Sequence, residues 1–428
     1  MFSETQVDQN LPPVQADEYE ALLVSFNMLC GFGGRLLGTE SERRAVEWIF
    51  AQFEQMSGEA TLHPVETTVW RPTRATLTIG SSGETFPCQP MLHTVSTPHE
   101  GMIGRIVDMG RGRSEDYERL GDSARGNIVL VEHEYPFSTT HLHRRDKIRL
   151  AIRHGARALL MSNPTGDGGL LSGSSGEEKG FDPIPCGYIT RECALRLRSL
   201  DSSEAEICLD LDGVSEPVVS GNASVVIGDP ALPRIVISAH IDGHPLGESA
   251  LDNASGVAVA VAATRHLEPL FRDNPAFALQ TIIFTAEEWA LYGSEDYLRN
   301  LPEEQRDRLL LNVNLDTVGG SSKLTALISE FPKLERLIRM ASESSGVDVD
   351  TSLPLRANSD HYNFARVGVP AFRLLAGFDE PESRVQHILS GGDTRDKVFP
   401  EELRTALAYV CALIRTAIAN PSILSSLR

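Results

Sequence analysis

The chain has 428 residues, 41% of them hydrophobic and 23% charged, and its 39 lysines and arginines against 59 aspartates and glutamates leave a formal net charge of −20 at pH 7. This is the composition of a folded chain of roughly two or three domains, and it excludes wholesale disorder, collagen and a bundle of membrane helices. An acidic surface repels phosphate backbones and anionic lipid, so neither nucleic acid nor a membrane is expected as a partner, whereas metals and cationic ligands are.

The first twenty residues hold neither a basic segment nor an apolar one, so no secretory signal is read there and a cytoplasmic location is the default. Cys30, Cys88, Cys186, Cys193, Cys208 and Cys411 lie far apart without a CxxC pair. That spacing argues against a disulfide framework or a thiolate zinc site and for reduced, buried thiols. After a polar leader, Glu40 to Met56 has the apolar spacing of an amphipathic helix, with Val46, Ile49, Phe50, Phe53 and Met56 on one side. From Glu66 the pattern turns to short β-rich runs, through Gly126 to Val131. A helix is expected over Lys147 to His154, stopped by Gly155, then a buried strand at Ala158 to Met161 and a mobile Gly/Ser-rich loop from Gly166 to Gly180.

From Ala223 strands and helices alternate. Strands are expected from Arg234, Gln280, Leu311 and Pro370, which predicts an α/β fold with a mostly parallel sheet and helices on both faces. Segment 62–215 reads as an inserted β-rich α/β domain, with 1–61 and 216–428 forming the main, catalytic one. No internal repeat is visible.

Acidic and histidine residues gather where these apolar strands end. His240 and Asp242 follow the strand at 234, Glu287 and Glu288 the strand at 280, and Asp316 closes the strand at 311. Sites in open α/β sheets form outside the carboxyl ends of the strands. Several carboxylates brought together there need a compensating cation, so a metal centre is expected. In His240-Ile241-Asp242 the histidine can bind metal while the aspartate orients its ring. Asp252 opens an apolar helix, where backbone N–H groups favour its ionised form. Adjacent Glu287 and Glu288 point in different directions, which suits one ligand and one general base. Taken singly, HxD is a common loop tripeptide, a glutamate pair is usually a solvated helix start, and DNASG is usually a cap. Their order and strand context carry the reading.

The series HID, LDNASG, TAEEW, NLDTVG and SDHYNFARVGVPAF resembles the co-catalytic di-zinc aminopeptidases of metallopeptidase family twenty-eight, and GNIVLV, HGARALLM and IPCGYIT resemble the protease-associated domain that many members carry. The resemblance implies a zinc-aminopeptidase-like fold and two zinc ions per chain. Asp252 would bridge them, with His240 and Asp316 on one ion and Glu288 and a late histidine on the other. Glu287 would be the general base and Asp242 the partner of His240. His387 is the expected late ligand, although its spacer before Asp-Thr is longer than the common one. His361 is the rival, assigned instead to the pocket wall. His244, in the loop before Asp252, is placed to touch substrate but is read as a loop residue open to solvent, and His141, His143 and His266 are given no role. The implied activity is removal of residues from the amino end of peptides, in an acidic crevice that attracts the free α-ammonium and repels further carboxylates. A related carboxypeptidase or dipeptidase, or an inactive binding homologue, is the alternative. The partners are peptide substrates, and the composition is compatible with a homo-oligomer.

Overall fold

Uninterrupted apolar runs build the centre of one mixed sheet, as expected for strands covered on both faces. The computed structural model describes residues 13–176, 182–201 and 206–428, so the start of the polar leader and the end of the loop expected at 166–180 lie outside the described residues. Across the sheet the order is Val349–Ser352, Leu324–Leu327, Ala371–Ala376, Leu309–Leu315, Arg234–His240, Ala278–Phe284 and Glu206–Ile227. The strand from Arg234 runs parallel to both of its neighbours, with Ile237 opposite Thr281 and Val313, and the strand from Leu309 runs parallel to that from Ala371. The strand from Leu324 pairs antiparallel with that from Ala371 and parallel with that from Val349, and the strand from Glu206 pairs antiparallel with that from Ala278.

Alternation of side chains explains why both faces are covered. Ile235, Ile237, Ala239, Val313 and Leu315 pack against helices Ala16–Gly31, Ser255–Phe271, Leu334–Ser345 and Pro400–Ala419. Val236, Ile282 and Phe284 face the other way, onto Tyr297, Leu298 and Phe364. The helix expected from Glu40 spans Glu40–Phe53 and buries Val46, Ile49 and Phe53, with Thr39 accepting the Glu42 N–H at its start. The helix Ala16–Gly31 was hidden by the reading of a polar leader, yet it buries Leu22, Phe26, Leu29 and Cys30 at helical spacing.

Two long strands, Glu59–Ile79 and Glu206–Ile227, form an antiparallel ribbon broken in register only between Pro72 and Arg74. It runs without interruption across 62 and 215, where the domain boundaries were expected. Strands Met102–Asp108, Ile128–Glu132, Ala158–Ser162 and Cys186–Ile189 continue the sheet in parallel pairs. Their apolar residues form a cluster drawn wholly from positions 77 to 211. A second cluster joins Tyr135, Phe137 and Leu171 to Leu375, Phe378, Ile388 and Leu389. Tyr135 also donates to the Gly377 carbonyl at 2.6 Å, and the Ser172 N–H to that of Leu389 at 2.8 Å. The intervening segment is thereby pinned against the loops at the sheet's carboxyl edge. All six cysteines are free. No helix among the described residues is long and apolar enough to cross a membrane.

Candidate metal centre

Three parallel strands deliver the side chains. His240 is the last residue of Arg234–His240, Asp316 directly follows Leu309–Leu315, and Glu287 and Glu288 follow Ala278–Phe284. Left-handed backbone at Ala286 (φ 57), Thr317 (φ 61) and Ser249 (φ 47) turns the chain sharply beside these positions. Such costly conformations persist where the surroundings over-determine them, and they cluster at functional sites.

His240 Nε2 lies 3.0 Å from Asp252 Oδ1 and 3.5 Å from Asp316 Oδ1, and His244 Nε2 lies 2.5 Å from Glu288 Oε1. The sets His240–Asp252–Asp316, His244–Asp252–Glu288 and His240–Glu287–Glu288 each bring one atom per residue within 4.8 Å of the others, all buried. Yet His240 Nε2, both ring nitrogens of His244 and Glu288 Oε1 have no partner in hydrogen-bond geometry. Buried polar atoms are rarely left so. A shared cation with nitrogen and oxygen ligands fits these orphaned atoms, and Asp252 is common to two of the sets.

The supporting residues differ from expectation in detail. His240 Nδ1 meets the backbone carbonyl of Asp242 at 3.0 Å, and the Asp242 carboxylate is 3.7 Å away. That carboxylate instead accepts the N–H groups of Glu287 and Glu288, at 3.0 and 3.1 Å. The aspartate expected to orient a histidine thus holds the turn carrying both glutamates. Asp393 does the same for Asp252, accepting the N–H groups of Leu251 at 2.6 Å and Asp252 at 3.2 Å. Arg35, buried, donates to the carbonyls of Ile241, Glu248 and Ser249 as well as Leu29 and Gly33, fixing the loop that carries His244. Gly34 is required beside it, since a Cβ there would stand 1.9 Å from the His244 carbonyl oxygen.

Burial raises the carboxyls of Glu287 and Glu288 well above the usual range. It also pushes Asp360 and Asp393 up to about 7 and His244 down to about 4. Burial acts in the same sense on Asp316, but the Arg373 guanidinium at 3.0 Å and His240 outweigh it and hold that carboxyl below its ordinary value. For His240 the neighbouring Glu287 and Asp316 outweigh burial and raise the imidazole. A general base needs a carboxyl raised from its ordinary value, and burial shifts Glu287 in that direction.

His387, the expected late ligand, ends a 3-10 turn, Arg384–His387, and lies outside every one of the three sets; its charged neighbours are Lys397, Asp167 and Asp396. The long spacer that follows brings Ile388 and Leu389 to the cleft wall in its place. The residue that does face Glu288 is His244, expected in solvent but only 2% exposed. His361 is fully buried beside Asp360 with both ring nitrogens unpartnered, and it belongs to none of the sets. The cleft is narrow, about 80 Å³, and Asp252, Glu287, Glu288 and Asp316 line it together with Arg144, Arg145 and Arg373. It is therefore not the purely acidic crevice expected from net charge. His244 and Asp393 carried a sequence signal, a second histidine four positions after His240 and the aspartate of Asp-Thr. Arg35, Arg144 and Arg145 carried none, since their roles depend on contacts distant in sequence.

The description "Peptidase family M28" fits residues 224–414. Aminopeptidase YwaD of Bacillus subtilis (strain 168) is 24% identical over 393 residues, covering 90% of this chain and 82% of that protein. Carboxypeptidase Q of Homo sapiens is 23% identical over 411 residues, covering 91% and 83%. Among solved structures, BSAP, a zinc aminopeptidase from Bacillus subtilis, superposes with a TM-score of 0.75 at 22% identity over 95% of both chains. At that identity the likeness establishes the shared fold.

Proposed function

We propose that this chain, whose residues 224–414 match the description of peptidase family M28, is a zinc-dependent exopeptidase, an aminopeptidase that hydrolyses the first bond of peptides with a free amino end. The observation that carries the reading is the meeting of His240 and His244 nitrogens with Asp252, Asp316 and Glu288 oxygens at 2.5–3.5 Å, buried and outside hydrogen-bond geometry. His240, Asp252 and Asp316 would hold one zinc ion, and Asp252, Glu288 and His244 a second. Zinc bound there supplies Lewis acidity, polarising the scissile carbonyl and acidifying water. Glu287 takes the proton of the attacking water and delivers it to the leaving amine. Its neighbours, Asp242 above all, keep its backbone in place while it does so. Segment 62–215, pinned against the sheet's carboxyl edge, acts as a protease-associated-like insert that walls the cleft and restricts it to peptide ends. The free thiols support a reducing, cytoplasmic setting.

The test pairs elemental analysis of purified protein with hydrolysis of short peptides whose amino end is free or acetylated. The reading requires about two zinc ions per chain and loss of cleavage on acetylation. Cleavage that survives acetylation but is abolished by amidating the carboxyl end would replace it with a carboxypeptidase, and a metal-free, inert protein with a binding homologue.

A further inference from the structure

The helix Arg144–Arg153 belongs to the intervening segment, yet its first two residues line the same cleft as Glu287 and Glu288. Arg144 donates from Nε to the Ser174 carbonyl at 2.7 Å, and Arg145 donates to the Ala357 carbonyl. Neither has a carboxylate partner among the described residues, in contrast to Arg373 of the same cleft, which is paired with Asp316. Half-buried guanidinium groups are normally neutralised, so two adjacent ones at a reaction cleft with no carboxylate partner among the described residues point to an anionic ligand.

The surroundings are shaped to hold them. A Cβ at Gly173 would stand 3.0 Å from Arg144 Cζ, and one at Gly176 2.5 Å from Arg145 Cδ, so the glycine-rich loop leaves space that the two side chains fill. His143 caps the helix by accepting the Arg145 N–H, and the helix's positive end adds to the field. Arg144 acts electrostatically on Glu288 and His244, and Arg145 feels Glu287, which puts both charges beside the candidate zinc ligands.

We infer that Arg144 and Arg145 form a carboxylate-recognition wall, so that the preferred substrates are short peptides presenting a carboxylate next to the scissile bond. This rests on the peptidase reading and narrows it. The carboxylate has two sources, the carboxyl terminus of a dipeptide or an acidic side chain on the residue after the cleaved bond. Either would pair with a guanidinium through parallel N–H donors.

Zinc-loaded protein should be given two pairs of substrates, Leu-Gly against Leu-Gly amide for the terminal source and Leu-Glu amide against Leu-Gln amide for the side-chain source. In at least one pair kcat/KM should favour the carboxylate member by about 10–100-fold, the scale of charge-assisted hydrogen bonds, and the pair that responds identifies the source. In the Arg144→Gln and Arg145→Gln double variant that ratio should fall toward one. Ratios near one in the wild-type protein overturn the inference without recourse to any variant, as does a ratio that survives in the folded double variant. If no member of either pair is cleaved, the peptidase reading fails first and this inference falls with it.

Discussion

Asp242 offers the sharpest discrimination between two roles for one carboxylate. Its oxygens accept the N–H groups of Glu287 and Glu288 at 3.0 and 3.1 Å, and the residue is fully buried. In Asp242→Asn the shape is kept, but one oxygen becomes an NH2 group facing an N–H. The surviving bond loses its charge assistance, about 1 kcal/mol, and the orphaned N–H costs about 1–3 kcal/mol more. Removing a negative charge from an acidic neighbourhood offsets part of this, leaving at least about 1 kcal/mol against the local turn. Hydrogen exchange of peptides covering residues 284–291, measured after chelation, should therefore speed up about 5-fold or more, since 1.4 kcal/mol is a factor of ten in opening. Turnover should fall with it, because the turn carries Glu287. The reasoning is refuted if exchange there is unchanged while zinc affinity alone drops, the outcome expected of a carboxylate that only orients the His240 ring.

Further outcomes follow from the same geometry. His244→Ala should lower the zinc bound per chain more than His387→Ala, and the opposite ranking by elemental analysis would return the ligand role to the late histidine. Glu287→Gln should keep its zinc and lose at least about 100-fold in kcat, the scale of general-base removal. Equal activity would discard the assignment. Arg35→Met leaves five backbone carbonyls without their donor, and chemical denaturation should show a loss of at least about 3 kcal/mol. Burial would raise Glu134, but Lys147 at 2.7 Å and the nearby arginines outweigh it and bring the carboxyl from 4.5 to about 2. Between those values the unfolded chain binds the extra proton, so the pair's contribution is complete above pH 4.5 and disappears as pH falls toward 2. The stability gap between wild type and Glu134→Gln, about 1–2 kcal/mol after allowing for solvent screening, should close over that window. A constant gap would contradict the linkage.

What the sequence disclosed and what it concealed divide along the range of the interactions. The strands at 234, 280, 311 and 370 were legible because a strand covered on both faces is an unbroken apolar run, and the residues at their carboxyl ends came together because parallel strands share that edge. His240, Asp252, Glu287, Glu288 and Asp316 are all local to such ends. His244 was misjudged because a loop has no periodicity to report burial, and its environment is set by Arg35, two hundred positions earlier. The order of motifs drew attention to His387, but spacer length decides which side chain reaches the cleft, and there the chain presents Leu389. The charge reading failed because net charge averages over a surface, while Arg144 and Arg145 arrive from a segment whose docking no local pattern encodes.

The ribbon of Glu59–Ile79 and Glu206–Ile227 has a consequence for how such a chain can change. Because successive strand residues point to opposite faces, one added residue in either strand would invert every side chain between the addition and the ribbon's far end, whereas two would restore them. The only place where the pairing already tolerates an odd step is the shift between Pro72 and Arg74. Length variants that preserve Arg144 and Arg145 at the cleft should accordingly obey an even-number rule along the ribbon, with odd insertions confined to that step or to the loops of the segment it carries.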